Sequence, residues 1–284
     1  MSAPAVEAVA GAAAAAAPVS LAEVNERAEL LVRFDRSYLV PVDDFLWLAE
    51  CLTGPRRSGD PVRPLRPFRA LTIGGRRAFR YHSVYYDTPG LRSFHDHRQG
   101  RRLRFKVRER VYEDSGERQF EIKMKGRCGA TVKHRRRMAG ADAPLDARHR
   151  AYLAETLWRT YGIAAPEDLG PSLGTDYLRA TLVADGERVT CDAGLSCADP
   201  VTGRTVRCDP GLVLVETKSA GHPGEADRLL HACGLRPAVF TKYCGALAAL
   251  RPALPGNRWR RAARRVFGAG APDGPCLTGD QTCE

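Results

Sequence analysis

The chain has 284 residues, 44% hydrophobic and 27% charged, which suits a soluble globular protein of one large domain or two small ones. A formal charge of +11 and a pI near 9.4 predict a polyanionic partner, and aromatic residues, only 7% of the chain, nowhere interleave with basic ones, so nucleic acid is not expected. No apolar run is long enough to span a bilayer, and nine cysteines without a CxxC pair point to reduced thiols in a cytoplasmic protein, against a zinc site or a disulfide framework.

The opening "MSAPAVEAVAGAAAAAAPVS" has no basic region ahead of its alanines, so residues 1–25 read as a disordered Ala-rich tail and not a signal peptide. "RAELLVRFDRSYLV" then reads as a strand, and "PVDDFLWLAECL" as a short helix with Pro41 at its start and acids in its first turn. "GPRRSGDPVRPLRP" is a Pro-rich basic loop, "RYHSVYYDT" a strand, and "PGLRSFHDHRQG" a turn or short helix.

The next stretch, "LRFKVRERVYEDSGERQFEIKMKG", alternates with period two on both sides of a turn. Arg104, Lys106, Arg108 and Arg110 share one parity, while Leu103, Phe105, Val107 and Val111 share the other. Beyond "EDSG", Glu121, Lys123 and Lys125 oppose Phe120, Ile122 and Met124, which predicts a hairpin with a cationic face. That face reads either as the solvated side of an antiparallel sheet or as a binding surface. The same pattern recurs in "TVKHRRR" with Lys133, Arg135 and Arg137, in "DGERVTCD" with Arg188 and Asp192, and in "LVLVETKS" with Glu216 and Lys218.

"PLDARHRAYLAETLWRTYG" is the clearest helix, with Gly162 just past its end. Strands "TDYLRATLVAD", "ERVTCDAGLSC" and "LVLVETKSAG" follow, then helices "GEADRLLHACG" and "FTKYCGALAALRP". From residue 253 on, "RWRRAARR" and a Gly- and Pro-rich end read as a basic disordered tail, 253–284. Only six of the 44 basic residues are lysines: Lys106, Lys123, Lys125, Lys133, Lys218 and Lys242. All six lie in the candidate strands or in "FTKYCG". An ammonium and a guanidinium are not interchangeable, and a phosphate chain can be gripped by both.

The order of "SVYYDTPGLRSFHDHRQGRRLRFKVRERVY", "QFEIKMKGRCGATVKHR", "DYLRATL", "VETKS" and "FTKYCGAL" resembles the VTC domain, the polyphosphate-polymerising member of the CYTH-like triphosphate tunnel metalloenzyme superfamily. The resemblance runs from about residue 27 to 250. It implies an α+β fold over 26–252, an antiparallel eight-stranded closed tunnel barrel with flanking helices and charged side chains inside. Arg108 and Arg110, or Lys106 one step earlier, are implied as phosphate clamps, with Lys123, Lys133, Arg135, Arg179 and Arg188 from neighbouring strands. Lys242 is implied to close on the phosphates, and Lys123, Lys242, Arg108 and Arg110 form the implied catalytic set. Glu216 corresponds to the acid that holds Mn2+ or Mg2+, with Lys218 beside it; Glu121 and Asp192 are further candidates for metal or for lysine pairing.

The implied activity is metal-dependent phosphoryl transfer from a nucleoside triphosphate to polyphosphate. Hydrolysis in the same tunnel, or polyphosphate binding without turnover, are the alternatives, and a membrane-protein partner is not visible in the sequence. The first tunnel strand departs from the family pattern: "RFDRSYLV" supplies Arg33, as the polymerase branch does, but Ser37 stands where a lysine is implied, and Arg36 has the outward parity. An unfilled cationic interior is expected to repel itself, so removing Arg108 or Lys123 is expected to leave stability unchanged or to raise it.

Overall fold

The computed structural model describes residues 3–27, 34–55, 64, 66–126, 131–140, 142–220 and 222–268. In chain order the elements are α1 (Pro4–Ala15), β1 (Pro18–Ser20), α2 (Leu21–Arg27), β2 (Phe34–Pro41), α3 (Val42–Thr53), β3 (Arg69–Thr72), β4 (Ala78–Asp87), α4 (Arg92–Arg98), β5 (Phe105–Tyr112), β6 (Glu117–Lys125) and β7 (Thr131–Met138). They continue as α5 (Ala147–Tyr161), β8 (Gly170–Ala184), β9 (Glu187–Ala198), β10 (Thr205–Arg207), β11 (Leu212–Ser219), α6 (Glu225–Ala232), α7 (Lys242–Leu250) and α8 (Asn257–Phe267).

The class is α+β, as expected, but the sheet is not closed. Eight strands run in the order β2-β11-β9-β8-β4-β5-β6-β7, every neighbour antiparallel, and β2 and β7 are edges with no pairing between them among the described residues. The expected closed barrel is therefore corrected to a curled open sheet, to which β1, β3 and β10 attach at the side, β1 parallel to β3.

Helices cover the outer face in two groups. The apolar parity of the hairpin, with Phe105, Val107, Phe120 and Ile122, is buried against Leu153 and Leu157 of α5. That helix is capped by Asp146, which accepts from the His149 amide, and ends at Gly162 in the left-handed region (φ 67°) that glycine adopts without strain. On β2, β11, β9 and β8 the outward residues, among them Tyr38, Val40, Val213 and Val189, pack with α1, α3 and α6. Arg36 also points outward, as its parity predicts, to Ser219 Oγ at 3.2 Å and the buried Asp227 at 3.3 Å.

Each predicted tail contains a helix, α1 in the first and α8 in the second, and residues 269–284 of the second lie outside the described residues. Alanine has the best helix propensity, and α1 buries Ala5, Ala8, Val9 and Ala13 against the outer face of the sheet. At the other end, Trp259, Ala262, Ala263 and Val266 bury one stripe of α8, which packs on α7.

α7 packs against the inner side of the sheet. Leu212 and Leu214 of β11, Leu39 of β2 and Leu195 of β9 join Tyr243, Leu247 and Leu250 in one core. Beyond this apolar part, the same inward parity turns charged, with Glu216 and Lys218 on β11 and Asp35 on β2. The polar site begins where the helix-filled core stops.

Candidate functional site

Residues directly opposite in an antiparallel pair share a face, so strand register fixes which charges meet. Lys106 stands opposite Lys123, and Lys123 opposite Lys133, a row of three ammonium groups across β5, β6 and β7. Two residues along, Arg108, Glu121 and Arg135 form a second row with an acid at its centre. With the apolar parity under α5, both rows face the interior.

Glu121 is buried and carries this cluster. Arg108 donates Nε–H to Glu121 Oε2 at 2.6 Å, Arg135 Nε lies 3.3 Å from Oε1, Arg110 Nη1 lies 3.9 Å from Oε2, and Lys133 pairs with Oε1. Burial by itself would raise the carboxyl, but Arg108, Lys133 and Arg110 hold it well below the usual range. Cations surround it, which suits ion pairing, although Oε1 accepts no hydrogen bond among the described residues.

A second buried acid, Asp192 of β9, stands opposite Arg179 of β8. Arg179 grips it with two hydrogen bonds, Nε to Oδ1 at 2.6 Å and Nη2 to Oδ2 at 2.7 Å, and Lys242 at the start of α7 pairs with the same Oδ2. Burial opposes the charge on both partners, yet the attraction lowers Asp192 to about 2 and raises Lys242. Lys242 thus reaches the interior from a helix and not from the sheet.

Glu216 pairs with Lys218 along β11, and Lys218 also donates to Thr190 Oγ1 at 3.2 Å. Across strands, Glu216 faces Ser37 and Lys218 faces Asp35 on one side and Arg188 on the other. Ser37 therefore lies on the interior face. Lys123 Nζ reaches over from β6, the strand next to the β7 edge, to 3.7 Å from Asp35 Oδ2 on the β2 edge. Arg33 lies outside the described residues.

The other predicted site residues Lys106, Arg108, Arg110, Lys123, Lys133, Arg135, Arg179, Arg188, Lys218 and Glu216 lie on this face of the sheet, and Lys242 joins them from α7. Sequence reasoning missed the aromatic lining. Tyr81 stacks on Tyr177 with centroids 5.4 Å apart, and Tyr85 on Tyr243 at 5.1 Å. The Arg110 guanidinium lies 5.1 Å from the Tyr81 centroid and donates to Tyr177 Oη at 2.9 Å, the Lys242 ammonium lies 4.6 Å from the Tyr177 centroid, and Arg108 donates to Tyr85 Oη at 3.0 Å. Burial works against ionisation of Tyr85, and Arg108, Arg110, Lys106 and Lys242 outweigh it, so the phenol lies below its ordinary value. The shared parity of Tyr81, Ser83 and Tyr85 in "RYHSVYYDT" was the available signal.

Metal ligation has two candidate places. In the interior, Glu216 Oε1 is taken by Lys218, and Lys218, Lys123 and Arg179 surround the carboxylate, lowering it well below the usual range against the upward push of burial. One hard oxygen among cations suits a divalent ion that takes most of its ligands from phosphates and water, as Mg2+ does, and not a protein-only cage. Outside, His82, Glu113 and Asp176 bring ligand atoms within 4.8 Å of one another, but His82 alternates with Tyr81 and Ser83 and so sits on the outer face of β4. Hydrogen bonding to Asp176 raises the His82 imidazole.

Among the described residues no helix is long and apolar enough to cross a membrane. The family model described as the VTC domain matches residues 22–251. No curated protein matches the chain. Among solved structures, a candidate adenylate cyclase from Bacillus halodurans is 13% identical with a TM-score of 0.43, covering 74% of this chain and 94% of that one. A candidate adenylyl cyclase from Hippeastrum with a dominant triphosphatase activity is 14% identical with a TM-score of 0.40, covering 79% and 98%.

Proposed function

The chain belongs to the VTC domain family, and from that premise we propose that it is a metal-dependent phosphoryl transferase that builds polyphosphate from a nucleoside triphosphate. The observation that carries the reading is the interior's imbalance of charge. Among the described residues the cations on it outnumber its carboxylates, Asp35, Glu121, Asp192 and Glu216 among them, and the lysine row has no acid within it. Buried excess charge is costly unless paired, and a chain of phosphates brings closely spaced anions that several strands can hold together.

In this reading Lys106, Lys123 and Lys133 bind the triphosphate as point charges, while Arg108, Arg110 and Arg179 orient it with fork-shaped donors. Phosphoryl transfer asks for positioning and for neutralisation of charge on the leaving oxygen, and little covalent chemistry from the protein. Lys242, carried on α7, meets the phosphates from the side opposite the sheet. Glu216 would hold Mn2+ or Mg2+, which supplies charge neutralisation at the phosphoryl oxygens. The tyrosine faces hold Arg110, Arg179 and Lys242 in place, so the donors are set before the ligand arrives.

A second reading, phosphate-chain binding without turnover, is favoured by Ser37, which stands opposite Glu216 where the resemblance implies a lysine. Incubation with ATP and Mn2+ separates the readings. Long phosphate chains are expected; free phosphate alone would replace transferase by hydrolase, and no turnover with tight binding would leave a polyphosphate-binding protein.

A further inference from the structure

The interior site gives no role to α8, whose sequence "NRWRRAARRVF" contains no acid. Its apolar stripe is already buried, with the Trp259 ring 5.3 Å from that of Phe94 in α4. Its other side exposes Arg258, Arg260, Arg261, Arg264 and Arg265. Arg258 donates to the His97 carbonyl at 3.5 Å and Arg260 to that of Pro252 at 3.1 Å, while Arg261, Arg264 and Arg265 have no partner among the described residues. Like charges three and four residues apart on a helix repel, so this face costs α8 stability on its own.

The Arg258 contact places α8 beside the turn that joins α4 to β5. That turn adds Arg101 and Arg102, exposed, and Arg104, half-buried, two residues before Lys106 of the interior row. Lys106 Nζ in turn donates to Thr241 Oγ1, the cap of α7, and α7 packs on α8. Basic residues therefore stand at successive points between the interior at Lys106 and α8: Arg104 and Arg102 in the turn, then Arg258 at its contact with the His97 carbonyl.

We propose that α8 and the turn before β5 form an external docking track for the polyphosphate chain where it extends out of the interior. The proposal rests on the phosphate-chain reading of the interior and adds a second, outer binding segment to it. The occupant follows from the chemistry of the face. A lipid surface would need the helix's apolar stripe, which is buried in the protein, and a single-stranded nucleic acid would need an exposed aromatic platform, whereas Trp259 is turned inward. A flexible chain carrying only charge needs neither.

The test compares wild type with the triple variant Arg261→Gln, Arg264→Gln and Arg265→Gln in binding tripolyphosphate, which fits the interior alone, and long-chain polyphosphate, across a salt series. The expected result is unchanged tripolyphosphate affinity, with long-chain affinity about tenfold weaker and the slope of log K against log salt smaller by about three, one for each lost phosphate contact. Equal long-chain affinity and slope in the two proteins would overturn the track. So would an equal loss for tripolyphosphate, which would place the arginines' effect in the interior, or tighter α8-dependent binding of single-stranded RNA or of anionic vesicles than of polyphosphate at matched charge. If wild type binds the long chain through α8 but not tripolyphosphate, the interior reading falls and the track stands.

Discussion

Lys123 Nζ lies 3.7 Å from Asp35 Oδ2, an ion pair that links β6 to β2 although no backbone hydrogen bond connects those strands. The lysine side chain is 45% exposed, so the pair contributes less than about 1 kcal/mol to stability. Its larger effect is on the interior charge. Asp35→Asn is expected to leave the melting temperature nearly unchanged and to tighten tripolyphosphate binding about threefold, because Lys123 is freed for the ligand. Titration calorimetry checks this, and weaker binding would show that Asp35 positions Lys123 instead.

Glu121 makes the opposite case. Its side chain is 1% exposed and engaged by Arg108, Arg110, Lys133 and Arg135. Glu121→Gln leaves those cations without a counter-charge and is expected to cost about 3 to 5 kcal/mol, lowering the melting temperature by roughly 10 °C. Saturating tripolyphosphate is expected to restore part of the loss, since it supplies the missing anion. By the same geometry Arg108→Ala is expected to destabilise, against the expectation from uniform repulsion, whereas Lys123→Ala is not.

Stability should also fall in acid for a definite reason. Asp192 has a folded-state pKa of about 2, below the ordinary value near 4, so its contribution is present above about pH 4 and is lost as pH falls from there towards 2. The contribution is about 2 kcal/mol, and Glu121, held low in the same way, adds in the same direction. Denaturation midpoints at pH 6 and pH 3 capture about half of it, since the loss continues towards pH 2; Asp192→Asn should flatten the difference.

Glu216→Gln is expected to abolish metal-dependent turnover of ATP while sparing tripolyphosphate binding, because it removes a hard oxygen but no cation. Binding that collapses with turnover would mean that Glu216 serves chiefly to hold Lys218. Turnover that survives would move the metal to another interior acid, with Asp35 or Glu121 next in line.

Ser37→Lys tests the departure from the family pattern. The side chain would enter the interior opposite Glu216, and the added cation is expected to tighten tripolyphosphate binding about threefold to tenfold, below the 1.5 to 3 kcal/mol of a full charge-assisted bond because Glu216 would compete for it. A rise in transfer rate is expected with it. No change in either would remove position 37 from the ligand's reach.

The hairpin of β5 and β6 was legible because period-two alternation survives any tertiary context, and so were α3, from the acids in its first turn, and α5, from Gly162 just past its end. What alternation could not say is which face is inside. That was decided by α5, whose Leu153 and Leu157 cover Phe105 and Ile122 and leave the charged parity to the interior. Lysine pairing was among the roles expected of Glu121, and Lys133 pairs with it; what the sequence did not show is that Arg108 and Arg135, on the neighbouring strands, meet it as well through register. α1 was misread because its buried face is made of alanines and one valine, too small to raise a periodic signal, and α8 because its arginines masked a stripe of only four apolar residues.

If the interior binds phosphates as proposed, its built-in acids also set how many phosphates a ligand needs. A single phosphate arrives where Arg108 and Lys133 already hold Glu121 and where Arg179 and Lys242 already hold Asp192, and it must compete at each with an anion that is tethered and never diffuses away. A chain of phosphates can recruit several cations in one binding event, each link raising the local concentration of the next. On the proposed reading, the protein's own carboxylates would act as a threshold on valence, under which orthophosphate would be turned away and longer chains would be held more firmly with each added unit.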